Sequence, residues 1–312
     1  MIGTVTLNPC VDRTCQLKNL EIGGMNRIVS DRRDVSGKGI NVSLALTQND
    51  VAVRSCGFIY KGGKEFFLSE LERFGICFEG IEVEGQLREN LKLWDCVSNV
   101  TTEVNQSGNP VGPDKWEDFK AFFGTFVEGL DMVVLAGSVP KGIDKSAYAQ
   151  LLAIANEKGI PCILDAEGEL LYRGLEQKPF LIKPNLYEFN ITFGHEGSDI
   201  PSIVAKARQI ITEGKCTYIC ITLGKDGALM VGQEGAWFAP SAKVDVKCTQ
   251  GAGDSIVSGI CKAYFEGKGP DQMLRYGVAM AGGTLSLDGT LMCTKKEFDR
   301  VLVDSTVEKL DY

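Results

Sequence analysis

The segment TQGAGDSIVSG, residues 249–259, joins a glycine-rich turn to the start of a helix. Apolar residues such as Ile256 and Ile260 recur at helical spacing after the turn, which predicts that a helix begins there. Gly251 and Gly253 have no side chains, so the backbone N–H groups of the turn can approach an anion closely. Clustered N–H groups at the N-terminus of a helix favour phosphate, or the charge that develops while phosphate is transferred.

Asp254 directly follows these glycines. A carboxylate at this position could accept the proton of an attacking hydroxyl while the turn stabilises the phosphoryl oxygens. Two other interpretations stay open for this segment alone: Asp254 caps the helix, as aspartate often does, or the Gly-x-Gly pattern binds a dinucleotide. The position near the C-terminal end, followed by helices rather than a βαβ unit, argues against a dinucleotide. A P-loop is excluded because no Gly-Lys pair in the sequence is followed by Ser or Thr.

Short apolar runs alternate with amphipathic segments between the N-terminus and this turn. Such alternation predicts an α/β fold in which a mostly parallel sheet is covered by helices on both faces. The predicted strands lie at 2–7, 51–58, 132–136, 162–164, 180–182 and 218–223. The predicted helices lie at 116–127, 145–156 and 203–212. Helices are then expected almost continuously from Asp254 to about Leu302, so the sheet should be largely complete before Asp254.

Two regions, at about 10–34 and 82–108, do not show this alternation of strands and helices. Polar and apolar residues alternate there without an intervening helical pattern. Half-buried strands of this kind suit a small accessory sheet that serves as a lid or as a contact surface. Because no repeat, low-complexity tract or Pro/Ser-rich linker interrupts the chain, residues 1–312 are predicted to form a single domain with this lid as an appendage.

The charge and composition of the chain restrict its partners. A formal net charge of −8 argues against nucleic acid or anionic lipid as a partner, and no apolar run approaches the ~20 residues that span a bilayer. The 11 cysteines lack the short repeated spacings of metal sites, and no export signal precedes the first strand, so a cytoplasmic location is expected. His195, the single histidine, lies in a polar loop, which argues against a histidine-based triad or a zinc site.

Two polar segments follow predicted strands. TLGKDG at 222–227 ends an apolar strand, where nucleotides bind in open α/β folds, although a tight turn into the next strand is an equally good interpretation. KPNLYE at 183–188 places Asn185 and Glu188 on one face at the start of a helix. These two residues could hold hydrated Mg²⁺, or they could cap the helix.

Further charged residues lie near the N-terminus and in the two accessory regions. The glycines that flank Lys38 in SGKGIN, residues 36–41, would let its charge reach a ligand at the start of a helix. Asp12 follows the first predicted strand and could form hydrogen bonds with sugar hydroxyls. Arg27 and Arg88 lie in the accessory regions, where they could meet an anion or remain solvated, as surface arginines usually do.

Together these segments resemble the ribokinase-like (PfkB) family of carbohydrate kinases over nearly the whole chain, and within it the branch that contains 1-phosphofructokinase and tagatose-6-phosphate kinase. The matching motifs are TLNPCVD (6–12), NR (26–27), SGKGIN (36–41), AGSVP (136–140), KPNLYE (183–188), TLGKDG (222–227) and TQGAGDS (249–255). Each motif is weak alone, but seven motifs in the order of the family make a specific signal. The resemblance implies a three-layer α/β/α fold with a small β-sheet lid that often also forms a homodimer contact.

The resemblance also implies a role for each matching residue. The catalytic base would be Asp254, and the anion hole would be formed by Gly251, Ala252 and Gly253. The substrate would be bound by Asp12, Arg27, Gly37, Lys38, Asn41, Arg88 and Ser138, of which Arg27, Lys38 and Arg88 would clamp the phosphate that the sugar already carries. ATP would contact Lys183, Asn185, Thr222, Gly224 and Gly227. Mg²⁺ would lie near Asn185 and Glu188.

The reaction implied by the resemblance is the ATP-dependent phosphorylation of a ketohexose monophosphate to the bisphosphate. The segment RENLK at 88–92 and the glycine turn are more similar to 1-phosphofructokinase, which makes fructose 1,6-bisphosphate, than to tagatose-6-phosphate kinase, which stays an alternative. A nicotinamide-dependent oxidoreductase and a non-catalytic regulator that binds a sugar phosphate are more distant alternatives. The chain departs from the family pattern at Cys10, at Gln250 and in the stretch 60–64, which leaves the substrate preference open.

Overall fold

The structure, a computed structural model, describes residues 1–311. Within these residues the chain forms one large and one small sheet. The strands are β1 (Ile2–Thr6), β2 (Cys10–Leu17), β3 (Ile28–Ser36), β4 (Val53–Gly62), β5 (Phe78–Gln86), β6 (Arg88–Asp95), β7 (Val100–Asn105), β8 (Met132–Ala136), β9 (Cys162–Asp165), β10 (Leu181–Ile182), β11 (Tyr218–Thr222), β12 (Ala228–Gly232), β13 (Gly235–Ala239) and β14 (Glu308–Leu310). The helices are α1 (Lys38–Thr47), α2 (Lys64–Arg73), α3 (Pro113–Phe126), α4 (Ala147–Glu157), α5 (Gly168–Gly174), α6 (Leu186–Phe193), α7 (Ile200–Thr212), α8 (Ala252–Phe265), α9 (Pro270–Leu285) and α10 (Lys295–Asp304).

The large sheet has ten strands in the order β14-β13-β12-β11-β10-β9-β8-β1-β4-β5. Neighbouring strands from β11 to β5 pair in parallel, whereas β12, β13 and β14 add an antiparallel edge. Each of the six predicted strands overlaps one of the parallel strands. The mostly parallel α/β class is therefore confirmed. No sequence pattern predicted β14, which completes the edge of the sheet after the last helix.

The large sheet is buried between two layers of helices. On β8, the side chains of Val133 and Leu135 belong to one apolar cluster, which also contains residues of α3 and α4. The side chains of Met132 and Val134 belong to a second cluster, which contains residues of α1 and α8. Since successive side chains of a strand point to opposite faces, the two clusters lie on opposite sides of the sheet. This arrangement confirms the predicted three-layer fold.

The predicted helices are observed as α3, α4 and α7, and the predicted C-terminal helical region is observed as α8, α9 and α10. Residues 286–294 interrupt that region between α9 and α10. Among the described residues, no helix combines the length and the apolar character that a membrane span requires.

The small sheet, called the lid below, consists of β3, β2, β6 and β7 in that order. Residues 7–9 alone separate β1 from β2, so the lid starts next to the carboxyl end of β1. Both accessory regions of the sequence contribute strands to this sheet. The second lid segment begins at Arg88 rather than at residue 82, because residues up to Gln86 belong to β5 in the large sheet.

Candidate active site

Asp254 lies in the first turn of α8. Gly251 occupies the cap position of this helix with a φ of +73°, a left-handed conformation that suits glycine. Oδ2 of Asp254 accepts a hydrogen bond of 2.7 Å from Nδ2 of Asn41, and only 7% of Asp254 is exposed. The cap of the helix is therefore Gly251, and the carboxylate of Asp254 turns to a residue of another helix, α1.

Burial raises the pKa of Asp254 from 3.8 to about 6, and the negative charge of Asp165 adds to this effect. Lys38, the hydrogen bond from Asn41 and Lys183 oppose it, because each favours the charged form. A carboxyl group with a pKa near 6 is largely ionised at neutral pH, and it is more basic than an ordinary aspartate. These are the properties of a general base that works close to neutral pH.

Asp165, the last residue of β9, binds two lysines beside Asp254. Oδ1 of Asp165 lies 3.0 Å from Nζ of Lys38 and 3.4 Å from Nζ of Lys183. Burial raises the pKa of Asp165, but the ammonium groups of Lys183 and Lys38 outweigh burial and hold the pKa below its ordinary value. Asp165 and Lys183 are both buried. The pairing therefore keeps three charged groups in place next to Asp254.

Asp165 is a site residue that was not predicted from the sequence. The available signal was an acidic residue at the carboxyl end of a buried strand, in the run ILD at 163–165. Ligands bind at this end of the strands in open α/β sheets. Its partner Lys183 follows β10, the next strand in the sheet, so the topology brings the two residues together.

Lys183 also approaches the glycine turn. A Cβ atom placed on Gly253 would lie 3.5 Å from Nζ of Lys183. The ammonium group and the backbone N–H groups at the start of α8 therefore border the same space. Positive charge from both sources suits an anion, such as a phosphoryl group in transfer.

The lid carries a polar pair of its own, Asp12 on β2 and Asn90 on β6. The register of β2 and β6 places them opposite each other, and Nδ2 of Asn90 donates to Oδ1 of Asp12 at 3.0 Å. Nζ of Lys92 lies 3.7 Å from Oδ2 of Asp12. On β3, Oγ of Ser36 donates to Oδ1 of Asn41 at 3.4 Å, which connects the lid to the residue that binds Asp254.

Arg88 lies between the lid and the large sheet. Its Nη2 donates to the backbone oxygen of Asn8 at 3.0 Å, and its Nη1 donates to Oδ1 of Asn90 at 3.2 Å. Nδ2 of Asn8 in turn donates to Oγ of Ser138 at 3.1 Å. These contacts hold the guanidinium group of Arg88 through neutral oxygens, so its charge is not neutralised by them and can attract an anionic substrate.

Gly37 and Arg27 differ in how the structure places them. Gly37 has a φ of +138°, and a Cβ atom there would lie 2.6 Å from Cγ2 of Thr6, so the turn between β3 and α1 requires glycine. Arg27 lies on the exposed connection between β2 and β3. Within residues 1–311 it forms no ion pair with the cluster around Asp254 and Asp12. The predicted substrate residues other than Arg27 thus lie in two groups of contacts. Lys38 and Asn41 bind Asp165 and Asp254, whereas Asp12, Arg88 and Ser138 are linked through Asn90 and Asn8.

A cleft of about 130 Å³ lies beside the glycine turn. Its lining includes Thr222, Gly224 and Gly227 together with Ala252, Gly253 and apolar residues of α9. A Cβ atom on Gly227 would lie 2.1 Å from the backbone oxygen of Ala239, which excludes any side chain. The interpretation of this segment as a turn is confirmed, since residues 224–226 form a short 3₁₀ turn that leads into β12.

The sequence matches the family model described as pfkB family carbohydrate kinase over residues 5–297. The chain belongs to this family. Among its curated relatives, the 1-phosphofructokinase of Bacillus subtilis (strain 168) is 33% identical over 287 residues, which cover 91% of this chain and 92% of the relative. The predicted family is therefore confirmed, and this pfkB kinase is a phosphotransferase with an alcohol group as acceptor.

Two solved structures of phosphofructokinase-2 from Escherichia coli have the same fold as this chain. Phosphofructokinase-2 from Escherichia coli, in complex with potassium, is 25% identical and superimposes with a TM-score of 0.92 over 97% of this chain and 98% of that chain. The tetrameric inhibited form of the same enzyme is also 25% identical, and its TM-score is 0.90 over the same shares of the two chains. A pfkB carbohydrate kinase takes its phosphoryl group from ATP, so the oxidoreductase alternative is excluded.

In this pfkB kinase Asn185 and Glu188 form a capping box at the start of α6. Oδ1 of Asn185 accepts a hydrogen bond from the backbone N–H of Glu188, and Oε2 of Glu188 accepts one from the backbone N–H of Asn185, each at 2.8 Å. The cap interpretation of these residues is therefore correct. The cap occupies only one of the two carboxylate oxygens, and the charge of Glu188 contributes to the raised pKa of Lys38, after the larger effect of Asp165.

Proposed function

We propose that this kinase phosphorylates fructose 1-phosphate to fructose 1,6-bisphosphate with ATP. The name of the relative from Bacillus subtilis supports a phosphosugar as the substrate. The observation that carries the proposal is the position of Asp254, a buried carboxylate between the glycine turn and a cluster of cations. A free sugar would not require several cations at one site, whereas a sugar phosphate brings charge that they can neutralise.

Asp254 is the general base in this proposal. Its carboxylate accepts the proton of the attacking sugar hydroxyl as the new O–P bond forms, and ADP leaves with the electrons of the broken bond. Charge on the phosphoryl oxygens is met by the backbone N–H groups of Gly251, Ala252 and Gly253 and by the ammonium group of Lys183. Asn41 holds the carboxylate in place.

The sugar phosphate is held from the lid side. Asp12 is 5% exposed and fixed by Asn90, so it can accept hydrogen bonds from sugar hydroxyls in a defined direction. Lys38 and Arg88 clamp the phosphate group that the sugar already carries, and Arg27 is the third cation that we propose for this clamp. Because Arg27 lies on an exposed connection of the lid, its contribution would depend on where that connection lies when substrate is bound.

The residues around Asn185 and Glu188 fit a hydrated Mg²⁺ ion. No group of three or more His, Cys, Asp or Glu side chains within residues 1–311 could hold a metal ion by itself. Mg²⁺ needs only one or two protein carboxylates when water and substrate phosphates complete its octahedron, and Glu188 retains one carboxylate oxygen outside the cap. Bound to ATP, the ion would neutralise charge on the phosphates, and Glu188 would orient its water ligands.

We also propose that the lid forms a homodimer contact. Its outer strands carry exposed apolar side chains, among them Ile28 and Val29 on β3 and Val100 and Val104 on β7. Single exposed apolar residues are common, but a concentration of them on one small sheet favours a covered surface. Sizing by light scattering should give twice the mass of one chain, and Val29→Asp should reduce it to the mass of a monomer.

A panel of phosphorylated ketohexoses tests the proposed reaction. Purified protein with ATP and Mg²⁺ should release ADP fastest with fructose 1-phosphate, measured as kcat/KM and compared with tagatose 6-phosphate and fructose 6-phosphate. A larger kcat/KM with tagatose 6-phosphate would select the alternative within this branch. No release of ADP with any member of the panel would overturn the proposal.

A further inference from the structure

A chain of polar contacts links the lid to the glycine turn. Nζ of Lys92 on β6 lies 3.7 Å from Oδ2 of Asp12 and 3.5 Å from Oε1 of Glu103 on β7. The same oxygen of Glu103 accepts a hydrogen bond of 2.6 Å from Nε2 of Gln250. Gln250 directly precedes Gly251, the cap of α8. The contacts thus run from the carboxylate on the sugar side, across two lid strands, to the turn that faces the phosphoryl group.

Glu103 is the centre of this chain of contacts. Besides Lys92 and Gln250, its carboxylate accepts a hydrogen bond of 3.2 Å from Nδ2 of Asn105. Lys92 is only 7% exposed, and a buried ammonium group is costly unless carboxylates pair with it. Glu103 therefore pairs on the lid with Lys92, a buried cation that needs carboxylate partners, and in the glycine turn with Gln250.

The hydrogen bond between Glu103 and Gln250 also attaches one edge of the lid to the body of the protein. Strand β7 is the outer strand on one side of the lid, and β3 is the outer strand on the other. On the β3 side, Oγ1 of Thr290 donates to Oδ2 of Asp34 at 2.8 Å and joins the lid to the loop before α10. On the β7 side, the hydrogen bond between Gln250 and Glu103 joins the lid to the glycine turn. Both edges are thus held to the body of the protein.

We propose that the Glu103–Gln250 hydrogen bond positions the lid over the glycine turn, so that Asp12 and Lys92 face the sugar phosphate while the turn faces the transferred phosphoryl group. Glu103 and Gln250 are positioning residues here, since they act through Lys92 and through the turn. The inference rests on the proposed function, because it assigns the two sides of the contact to the two substrates.

A charge introduced at position 250 tests the contact. Gln250→Glu places a second carboxylate against Glu103, so the lid should move away from the turn, and KM for the sugar phosphate should rise about tenfold or more with little change in KM for ATP. Adding Glu103→Gln restores one donor and one acceptor with exchanged positions. Lys92 keeps Asp12 as its carboxylate partner, so the double variant should recover most of the loss. A role limited to folding would not produce this split between the two KM values.

Glu89→Gln is the matched control. Glu89 is another lid carboxylate, on β6, and it pairs with Arg33 at 2.9 Å. Because side chains alternate along a strand, Glu89 lies on the face of the lid opposite to Asn90 and Lys92. This variant should leave both KM values unchanged. Failure of the double variant to recover, or an equal loss in Glu89→Gln, would overturn the inference.

Hydrogen exchange in the ligand-free protein separates this inference from the proposed reaction. Amides of β7 should exchange about tenfold faster in Gln250→Glu and return towards the wild-type rate in the double variant, because the lid opens more often when the contact is lost. If no ketohexose phosphate is a substrate, the proposed function fails and this comparison still decides whether the contact holds the lid. Equal exchange of β7 in the wild type and in Gln250→Glu would overturn it.

Discussion

Nδ2 of Asn41 donates a hydrogen bond of 2.7 Å to Oδ2 of Asp254. Asn41 lies in the first turns of α1 and Asp254 lies in the first turn of α8, so the N-terminal ends of two helices meet at the proposed base. Helix N-termini and the amide donor favour the ionised carboxylate, whereas burial and Asp165 favour the protonated form. The proton affinity of Asp254 is therefore a balance that single substitutions can move in either direction.

Asp254→Asn should remove most of the turnover while the sugar phosphate still binds. The amide keeps the shape of the side chain and can accept the hydrogen bond from Asn41, but it cannot take up the proton of the hydroxyl. We expect kcat to fall by about 10²–10⁴-fold, with little change in the dissociation constant measured by calorimetry. Asp118→Asn, at an exposed carboxylate on α3 that pairs with Lys115, is the control. A kcat close to that of the wild type would show that Asp254 is not the base.

The pKa of Asp254, about 6, predicts how activity depends on pH. Only the ionised carboxylate accepts a proton, so kcat/KM should rise as the pH increases through about 6 and then level off. Asn41→Leu removes a donor that favours the ionised form, so the rise should move to higher pH. Asp165→Asn removes a charge that raises the pKa, so the rise should move to lower pH.

Profiles of kcat/KM from pH 5 to 8.5 measure these shifts. All three proteins receive the same substrate, so differences between their profiles cannot arise from titration of the sugar phosphate. A shift of both variants in the same direction would contradict the assignment of the titrating group to Asp254.

The same raised pKa has a consequence for stability. The folded state has a pKa of about 6 against 3.8 for an ordinary aspartate, so ionising Asp254 opposes folding. This cost is absent below pH 3.8, grows as the pH rises and is complete above pH 6, where it reaches about 3 kcal/mol. Asp254→Asn should therefore raise the Tm more at pH 8 than at pH 5, as measured by calorimetry. An equal gain at both pH values would mean that the pKa of the carboxyl group is not raised in the folded state.

Local sequence patterns predicted the parts of the site that lie on single segments. The apolar run at 132–136 is β8, and the glycine turn with Asp254 begins α8 as expected. Both features follow from short-range rules: strands that are buried on both faces are continuously apolar, and a helix after two glycines presents N–H groups at its start.

Contacts between distant segments could not be predicted in this way. Asp165 is 127 positions from Lys38, and their ion pair depends on which strands lie side by side in the sheet. The hydrogen bond between Glu103 and Gln250 spans 147 positions and depends on where the lid lies. The sequence places Asp165 at the end of a strand and Gln250 in a turn, but no local pattern encodes which distant residues they pair with.

Gly227→Ala should damage the cleft beside the glycine turn, where we propose that ATP binds, and Gly224→Ala is its matched control. Both glycines line the cleft and have positive φ, +116° and +63°, so alanine is strained at either position. A Cβ atom on Gly227 would lie 2.1 Å from the backbone oxygen of Ala239, whereas no atom lies within 4 Å of one on Gly224. We therefore expect Gly227→Ala to lower the Tm clearly more than Gly224→Ala, for which about 1–2 kcal/mol is expected, and to raise KM for ATP as β13 moves. Equal effects of the two variants on Tm and on KM for ATP would show that the close approach of Ala239 does not shape this cleft.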